Sequence, residues 1–311
     1  MNDFIEGQSS RRNDMKIGLI PYGFKGLRGL PMLQTSDIDW LTETPPTLPD
    51  LVEDLDDSYI LVLFSSTRTW IEPRGKIRCK LAVFIAEPAS IQYLSHNLWP
   101  KIFNKKFELI LSWNPTLSCQ YDNCLYTPFA DTEINFRSKP DFHQTKPKNC
   151  VIVASSKSST LGHRLRHMII SQKSDIGIEF DTYGRGYRPF DKKEDLYAQY
   201  YASIVIENSR EPSYFTEKLT DTILSGLIPI YWGTSNISDF FDESGLIRFS
   251  SIKDLSNKAE YINRIDSSYR AKEREDNYYA ALKHLDHKVV IKRKILAFLN
   301  KAHQRIGSSW G

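Results

Sequence analysis

From Met15 onward the chain alternates short apolar runs with stretches of helical period. "KIGLI", "YILVLF", "LAVFI" and "FELILSW" each predict a strand, and 90–103 predicts a helix among them. A polar, proline-containing stretch, "RSKPDFHQTKPKN", interrupts the pattern. The alternation then restarts: "CVIVAS" strand, "LGHRLRHMIIS" helix, "IGIEFDTYG" strand, "KEDLYAQY" helix, "ASIVIEN" strand, "YFTEKLTDTILS" helix closed by Gly226, "IPIYW" strand, and "GLIRF" as the last strand. Strand–helix alternation of this kind is the signature of parallel sheets covered by helices. The expected fold class is α/β, with two Rossmann-like domains facing a cleft. The expected division is a polar disordered tail over 1–14, a first domain over 15–142, a linker over 143–149, a second domain over 150–282 and a basic helix over 283–311.

That last helix places Leu285, Val289, Ile295, Leu299 and Ile306 on roughly one face and Lys288, Lys292, Arg293 and Lys301 around the other. The pattern suits a helix docked on the protein with a solvated basic face, and it also admits peripheral contact with a membrane surface.

The 311 residues, 41% hydrophobic and 25% charged, suffice for two cores. A net charge of +3 is too small to argue for a nucleic-acid partner. Cys79, Cys119, Cys124 and Cys150 lack metal-site spacing and read as free thiols of a reducing compartment, so the expected location is cytoplasmic. No apolar run is long enough to span a bilayer, and the first fourteen residues lack a secretory core.

The most informative stretch is "IVIENSREPSYFTEKLTDTILSGLIPIYWG", beginning at Ile204. Ligands of doubly wound folds bind at the carboxyl ends of strands, and "ASIVI" delivers Glu207 and Asn208 to that edge. A loop follows, with Ser213 expected to cap the next helix, whose free N–H groups would attract a phosphate. Lys218 adds a full charge, Glu217 suits a pair of sugar hydroxyls, and Tyr214 offers a ring. Together they suit a nucleotide-sugar. The plainer reading is a solvated helix start with Leu219 and Ile223 packing beneath.

This stretch closely resembles the signature of the family 10 glycosyltransferases, the α1,3/4-fucosyltransferases: E-N-S/T, a short loop, Y-x-T-E-K, then a small-Gly-x-x-P strand. Weaker similarity extends over "DTYGRGY", "GHRLRHMII" and "FFDESGLIRF". The resemblance implies a GT-B type architecture in which the second domain binds GDP-fucose, the first holds a glycan acceptor, and fucose is transferred with inversion. It also implies donor-site roles for Asn208, Tyr214, Glu217 and Lys218, and puts Arg164 at the family's diphosphate-binding arginine. Arg166, Arg185 and Glu207 are further donor-site candidates. Members without a membrane anchor resemble bacterial enzymes of surface polysaccharide or lipopolysaccharide synthesis, so the expected acceptor is an oligosaccharide or lipid-linked glycan. Two alternatives stay open: a same-fold transferase using another GDP-sugar, and a nucleotide-sugar-binding module without catalysis.

Inverting transfer needs a base for the acceptor hydroxyl. Glu87, in "LAVFIAEPAS", resembles the family's strand-then-Gly-Glu-Asn position, although Ala86 and Pro88 replace its neighbours. Asp37 and Asp39 are the fallback candidates. His163 and His167 have metal-compatible spacing without a third ligand and read as structural. The sequence requires no metal or other cofactor, and dependence on a divalent cation is left open.

Overall fold

The computed structural model describes residues 15–307 except 45, 136 and 137, with side chains described through 300. The expected 1–14 tail lies outside the described residues, as do the side chains of Lys301 and Ile306. The chain forms two compact units, the first drawn from 1–128 and 287–311 and the second from 129–286.

The first unit holds β1 (Lys16–Leu19), β2 (Asp39–Trp40), β3 (Tyr59–Phe64), β4 (Lys80–Ile85), β5 (Leu109–Ser112) and β6 (Cys124–Tyr126). Their order is β2-β1-β3-β4-β5-β6, parallel except for the short antiparallel edge strand β2. Parallel strands buried on both faces read as continuous apolar runs, which is why "YILVLF" and "LAVFI" are legible in the sequence. The two-residue β2 and three-residue β6 carry too little pattern to be predicted. The helix expected over 90–103 is broken at Leu98 into two, Tyr93–Asn97 and Trp99–Phe103.

From β1 through β3, β4, β5 and β6, each strand lies beside the one before it, so right-handed crossovers place every connection on the same face. That face carries Leu61, Leu63, Leu81, Val83, Ile85 and Ile110 against Trp70, Ile77, Phe107 and Leu117. Phe64 and Phe84 alternate to the other face, and there the final helix, His287–Gly307, is docked. His287 lies 5.9 Å from the Phe64 ring and 6.4 Å from the Phe84 ring. Lys294 lies over Tyr126, and Lys288 pairs with Asp39.

The buried positions of this helix are Val290, Ile291, Ile295 and Leu299. Ile295 and Leu299 of the expected face are buried as expected, whereas Val289 is 55% exposed and Leu285 precedes the helix start. Among the described residues, docking on the first unit takes up apolar positions of this helix.

The second unit holds β7 (Lys148–Val153), β8 (Phe180–Tyr183), β9 (Tyr200–Ile206), β10 (Ile228–Trp232) and β11 (Ile247–Arg248), all parallel, in the order β11-β10-β9-β7-β8. One face packs Ile204, Ile206, Ile228 and Ile230 against Ile169, Leu255 and Ile262. The other packs Val205 and Tyr231 against Leu219, Ile223, Tyr278 and Ala281. Ala130, Ile134 and Phe142 belong to this second face, so the unit starts earlier than the expected boundary after 142. Arg274 strengthens that attachment by donating to the Phe142 carbonyl at 2.6 Å.

If the last helix is part of the core, Ile291→Ala lowers unfolding free energy by about 3 kcal/mol. Val289→Ala changes it by under about 0.5 kcal/mol. Urea denaturation of both variants measures the contrast.

Candidate functional site

In the order β8-β7-β9-β10-β11 the direction of progression reverses between β7 and β9, so connections leave these neighbours over opposite faces and open a crevice at their carboxyl ends. A cavity of about 470 Å³ occupies that crevice. Its walls are Val153 to Ser155 at the end of β7, Ser203 to Ile206 and Asn208 at the end of β9, and side chains from the three connecting segments.

Two glycines bring those walls together. Gly162, in the first turn of the Leu161–Ser171 helix, sits so close to β9 that a Cβ would lie 1.7 Å from the Glu207 carbonyl oxygen. Its N–H donates to the Asn208 carbonyl. Gly184 has φ +116°, and a Cβ there would lie 2.0 Å from the Ala154 carbonyl oxygen. Backbone contact at both points aims His163, Arg166 and Arg185 at the cavity.

The end of β9 is tied to the next helix by Glu207, which is fully buried. Its carboxylate accepts from the Thr216 N–H at 3.0 Å and the Thr216 hydroxyl at 2.7 Å. Burial raises its pKa, opposed by the Lys218 charge and the Thr216 hydrogen bonds. Thr216, not Ser213, caps the Glu217–Leu224 helix, while Gly226 closes it with φ +74° as expected. Ser213 instead adopts a left-handed φ of 65°, and its N–H donates to Thr234 Oγ1 and Asn236 Oδ1.

Five cationic side chains line the cavity, Lys157, Arg166, Arg185, Lys193 and Lys218, with the carboxylates Glu133 and Glu217 and the rings of Phe190 and Tyr197. Two of the cations are committed to the framework. Arg166 is buried and donates to the Ile206 carbonyl and, at 2.9 Å, to Asn208 Oδ1. Lys193 bridges Asp221 at 2.7 Å and Glu133 at 3.0 Å. Burial alone would lower the Lys193 pKa, but Tyr197 and the two carboxylates raise it on balance, so the ammonium stays charged. Burial raises the Asp221 pKa, opposed by the Lys193 ammonium and by hydrogen bonds from Thr132 and the Glu133 N–H. Lys157 and Arg185 are exposed at the cavity and, among the described residues, take part in no ion pair.

Glu217 and Lys218 both reach the cavity, paired at 2.7 Å. Burial would raise the Glu217 pKa, but the adjacent Lys218 ammonium overrides it and the carboxylate sits below its ordinary range. The site therefore offers an ionised acceptor for hydroxyls beside a cluster of cations.

Of the expected donor residues, Asn208, Glu217, Lys218, Arg166 and Arg185 line the cavity. Arg164 does not: it is exposed, whereas Arg166, two positions on, turns inward with His163 on the face that Gly162 seats against β9. Tyr214 is buried outside the lining, and Glu207 is a framework carboxylate. Lys157, Lys193, Phe190 and Tyr197 were not singled out; of these, Lys157 follows a strand's carboxyl end and was findable by the same rule that marked Asn208. Burial lowers the His163 pKa to about 4, assisted by Arg166, Lys157 and Lys218, and its ring completes a capping box with Thr160. His167 hydrogen-bonds Tyr187 and the Lys157 carbonyl. Among the described residues no group of three or more His, Cys, Asp or Glu is placed to hold a metal ion.

Glu87 belongs to the first unit, where it lines a small cavity of about 150 Å³ with Tyr22, Phe24, Phe64 and Gln92. The Tyr22 hydroxyl donates to its carboxylate at 3.1 Å, and its backbone carbonyl meets His96 Nε2 at 2.9 Å. Glu72 holds the segment that follows Phe24 by accepting from the N–H groups of Leu27 and Arg28. The fallback Asp39 is taken up by Lys288.

Residues 143–297 match the family described as "Glycosyltransferase family 10 (fucosyltransferase) C-term". The chain is similar to the alpha-(1,3)-fucosyltransferase FucT of Helicobacter pylori, 30% identical over 86 residues, 28% of this chain and 18% of that protein. It is also similar to an alpha-(1,4)-fucosyltransferase of Arabidopsis thaliana, 39% identical over 62 residues, 20% of this chain and 16% of that protein. The chain thus spans well under half the length of these curated relatives. Among solved structures it resembles an alpha-glucosyltransferase in complex with UDP and a 13-mer DNA, at 16% identity and a TM-score of 0.51, covering 80% of this chain and 81% of that one, a likeness of fold.

The close approach at Gly162 makes a sharp test. Gly162→Ala forces the helix off β9 and costs about 2 kcal/mol. Arg164→Ala, on the exposed side, stays within about 0.5 kcal/mol. Thermal melts of the two variants report the difference.

Proposed function

The chain belongs to glycosyltransferase family 10, the fucosyltransferases, through residues 143–297, and on that premise we propose that it transfers L-fucose from GDP-fucose to a glycan hydroxyl with inversion at the anomeric carbon. The observation that carries this reading is the juxtaposition of Glu217 and Lys218 with Arg166, Lys157 and Arg185 around one cavity at the sheet's switch point.

In this reading the diphosphate lies among Lys218, Lys157 and Arg185, whose charges stabilise it as it leaves. Arg166 holds Asn208 and the end of β9 in place. Glu217, kept ionised by Lys218, accepts hydrogen bonds from sugar hydroxyls. Phe190 offers a face for the base. Glu87 takes the proton of the attacking hydroxyl. Surface polysaccharide or lipid-linked glycan is the proposed acceptor, and the four free thiols support a reducing, cytoplasmic setting.

The donor half is tested by thermal stabilisation with GDP, UDP, GDP-fucose and GDP-mannose at equal concentration. GDP-fucose should give the largest shift, equivalent to about 2.7 kcal/mol at a hundredfold excess over Kd. A response to UDP alone, or to none of the four, overturns the donor assignment.

The base is tested separately. Glu87→Gln should lower turnover by at least about a hundredfold while GDP-fucose affinity stays the same. Undiminished turnover removes Glu87 from the mechanism.

A further inference from the structure

We propose that the 91–102 surface of the first unit is a docking face for an anionic lipid bilayer. Ile91, Tyr93, Leu94, Leu98 and Ile102 fall within twelve residues, and their exposures are 49%, 67%, 39%, 38% and 57%. Scattered single apolar residues on a surface need no explanation, but five so closely spaced do. Ile91, Leu94, Leu98 and Ile102 recur at intervals of three and four, the spacing that normally marks a core-facing stripe, yet here it faces solvent. The inward positions of the same two short helices are Ser95, His96 and Pro100.

Charge selects the partner. The twenty residues from 88 to 107 contain no Asp or Glu and three lysines. Lys106 is used internally, donating to the carbonyls of Thr69, Trp70 and Glu72. Lys101 and Lys105 are exposed and, among the described residues, take part in no ion pair. Aliphatic and tyrosine side chains interleaved with unpaired lysines match the boundary between acyl chains and acidic headgroups. A protein-binding patch would be depleted in lysine at its centre. Gln92, inside this segment, also lines the cavity that holds Glu87, so docking would bring that cavity to headgroup level. The inference stands on the surface itself and requires nothing of the donor reading.

The test is cosedimentation of the full chain with phosphatidylcholine vesicles, with and without phosphatidylglycerol. The wild type should bind the acidic vesicles more strongly, and added salt should weaken the difference. Combining Leu94→Ser with Ile102→Ser, or Lys101→Glu with Lys105→Glu, should each lower partitioning roughly tenfold or more without lowering the melting temperature. Lys292→Glu on the docked final helix should leave it unchanged. Absence of wild-type binding, loss of binding only with Lys292→Glu, or a dimer that the Leu94→Ser/Ile102→Ser variant dissociates would each overturn the proposal.

Discussion

The carboxyl end of β9 is gripped from several sides, and the cavity beside it depends on that grip. The helix start at Gly162 rests on the Glu207 carbonyl, Arg166 donates to the Ile206 carbonyl, and the Glu207 side chain holds Thr216 at the head of the next helix. Glu207 is a fully buried carboxylate, which is costly unless satisfied, and it is satisfied by the residue that caps the helix carrying Glu217 and Lys218. The same backbone segment thus sets the positions of His163, Arg166, Asn208, Glu217 and Lys218. Precision comes from rigid backbone contact rather than from the chemistry of the lining residues.

Burial separates two kinds of cation in this cavity. Arg166 and Lys193 are enclosed, and each is engaged with carbonyl, amide or carboxylate oxygens of the framework. Lys157 and Arg185 stand at the exposed margin with no ion pair among the described residues, and Lys218 is shared with a neighbouring carboxylate that itself lines the cavity. An ammonium or guanidinium already held by framework oxygens gains less from a ligand than one that exchanges only water. The first pair orders the site, and the remaining three are equipped to meet an anion.

The first unit is governed by a different constraint. A sheet whose strands follow one another in order receives all its crossovers on one face, so the apolar side chains of the other face need cover from elsewhere in the chain. The final helix supplies it, and its residues belong to the same unit as the first six strands. This explains why a basic, amphipathic segment is a structural part of the unit, and why its buried positions are Val290, Ile291 and Ile295 instead of Val289.

What the sequence determined by itself was local. Strands buried on both faces are continuous apolar runs, so β3, β4 and β10 could be read almost residue for residue, and the Leu161–Ser171 helix had its exact bounds. The motif around Glu217 and Lys218 placed two cavity residues correctly because a strand end followed by a helix start is a contiguous feature. Only the tertiary structure decided which arginine of "HRLR" turns inward, because the face a helix presents is set by where Gly162 lets it touch β9. It likewise decided that Glu207 is framework, that Tyr214 is buried outside the lining, and that Lys193 pairs with Asp221 and Glu133, since partners 28 and 60 residues away leave no local trace. Periodicity announces that a helix has an apolar face; the rotation that buries it is chosen by the surface it meets.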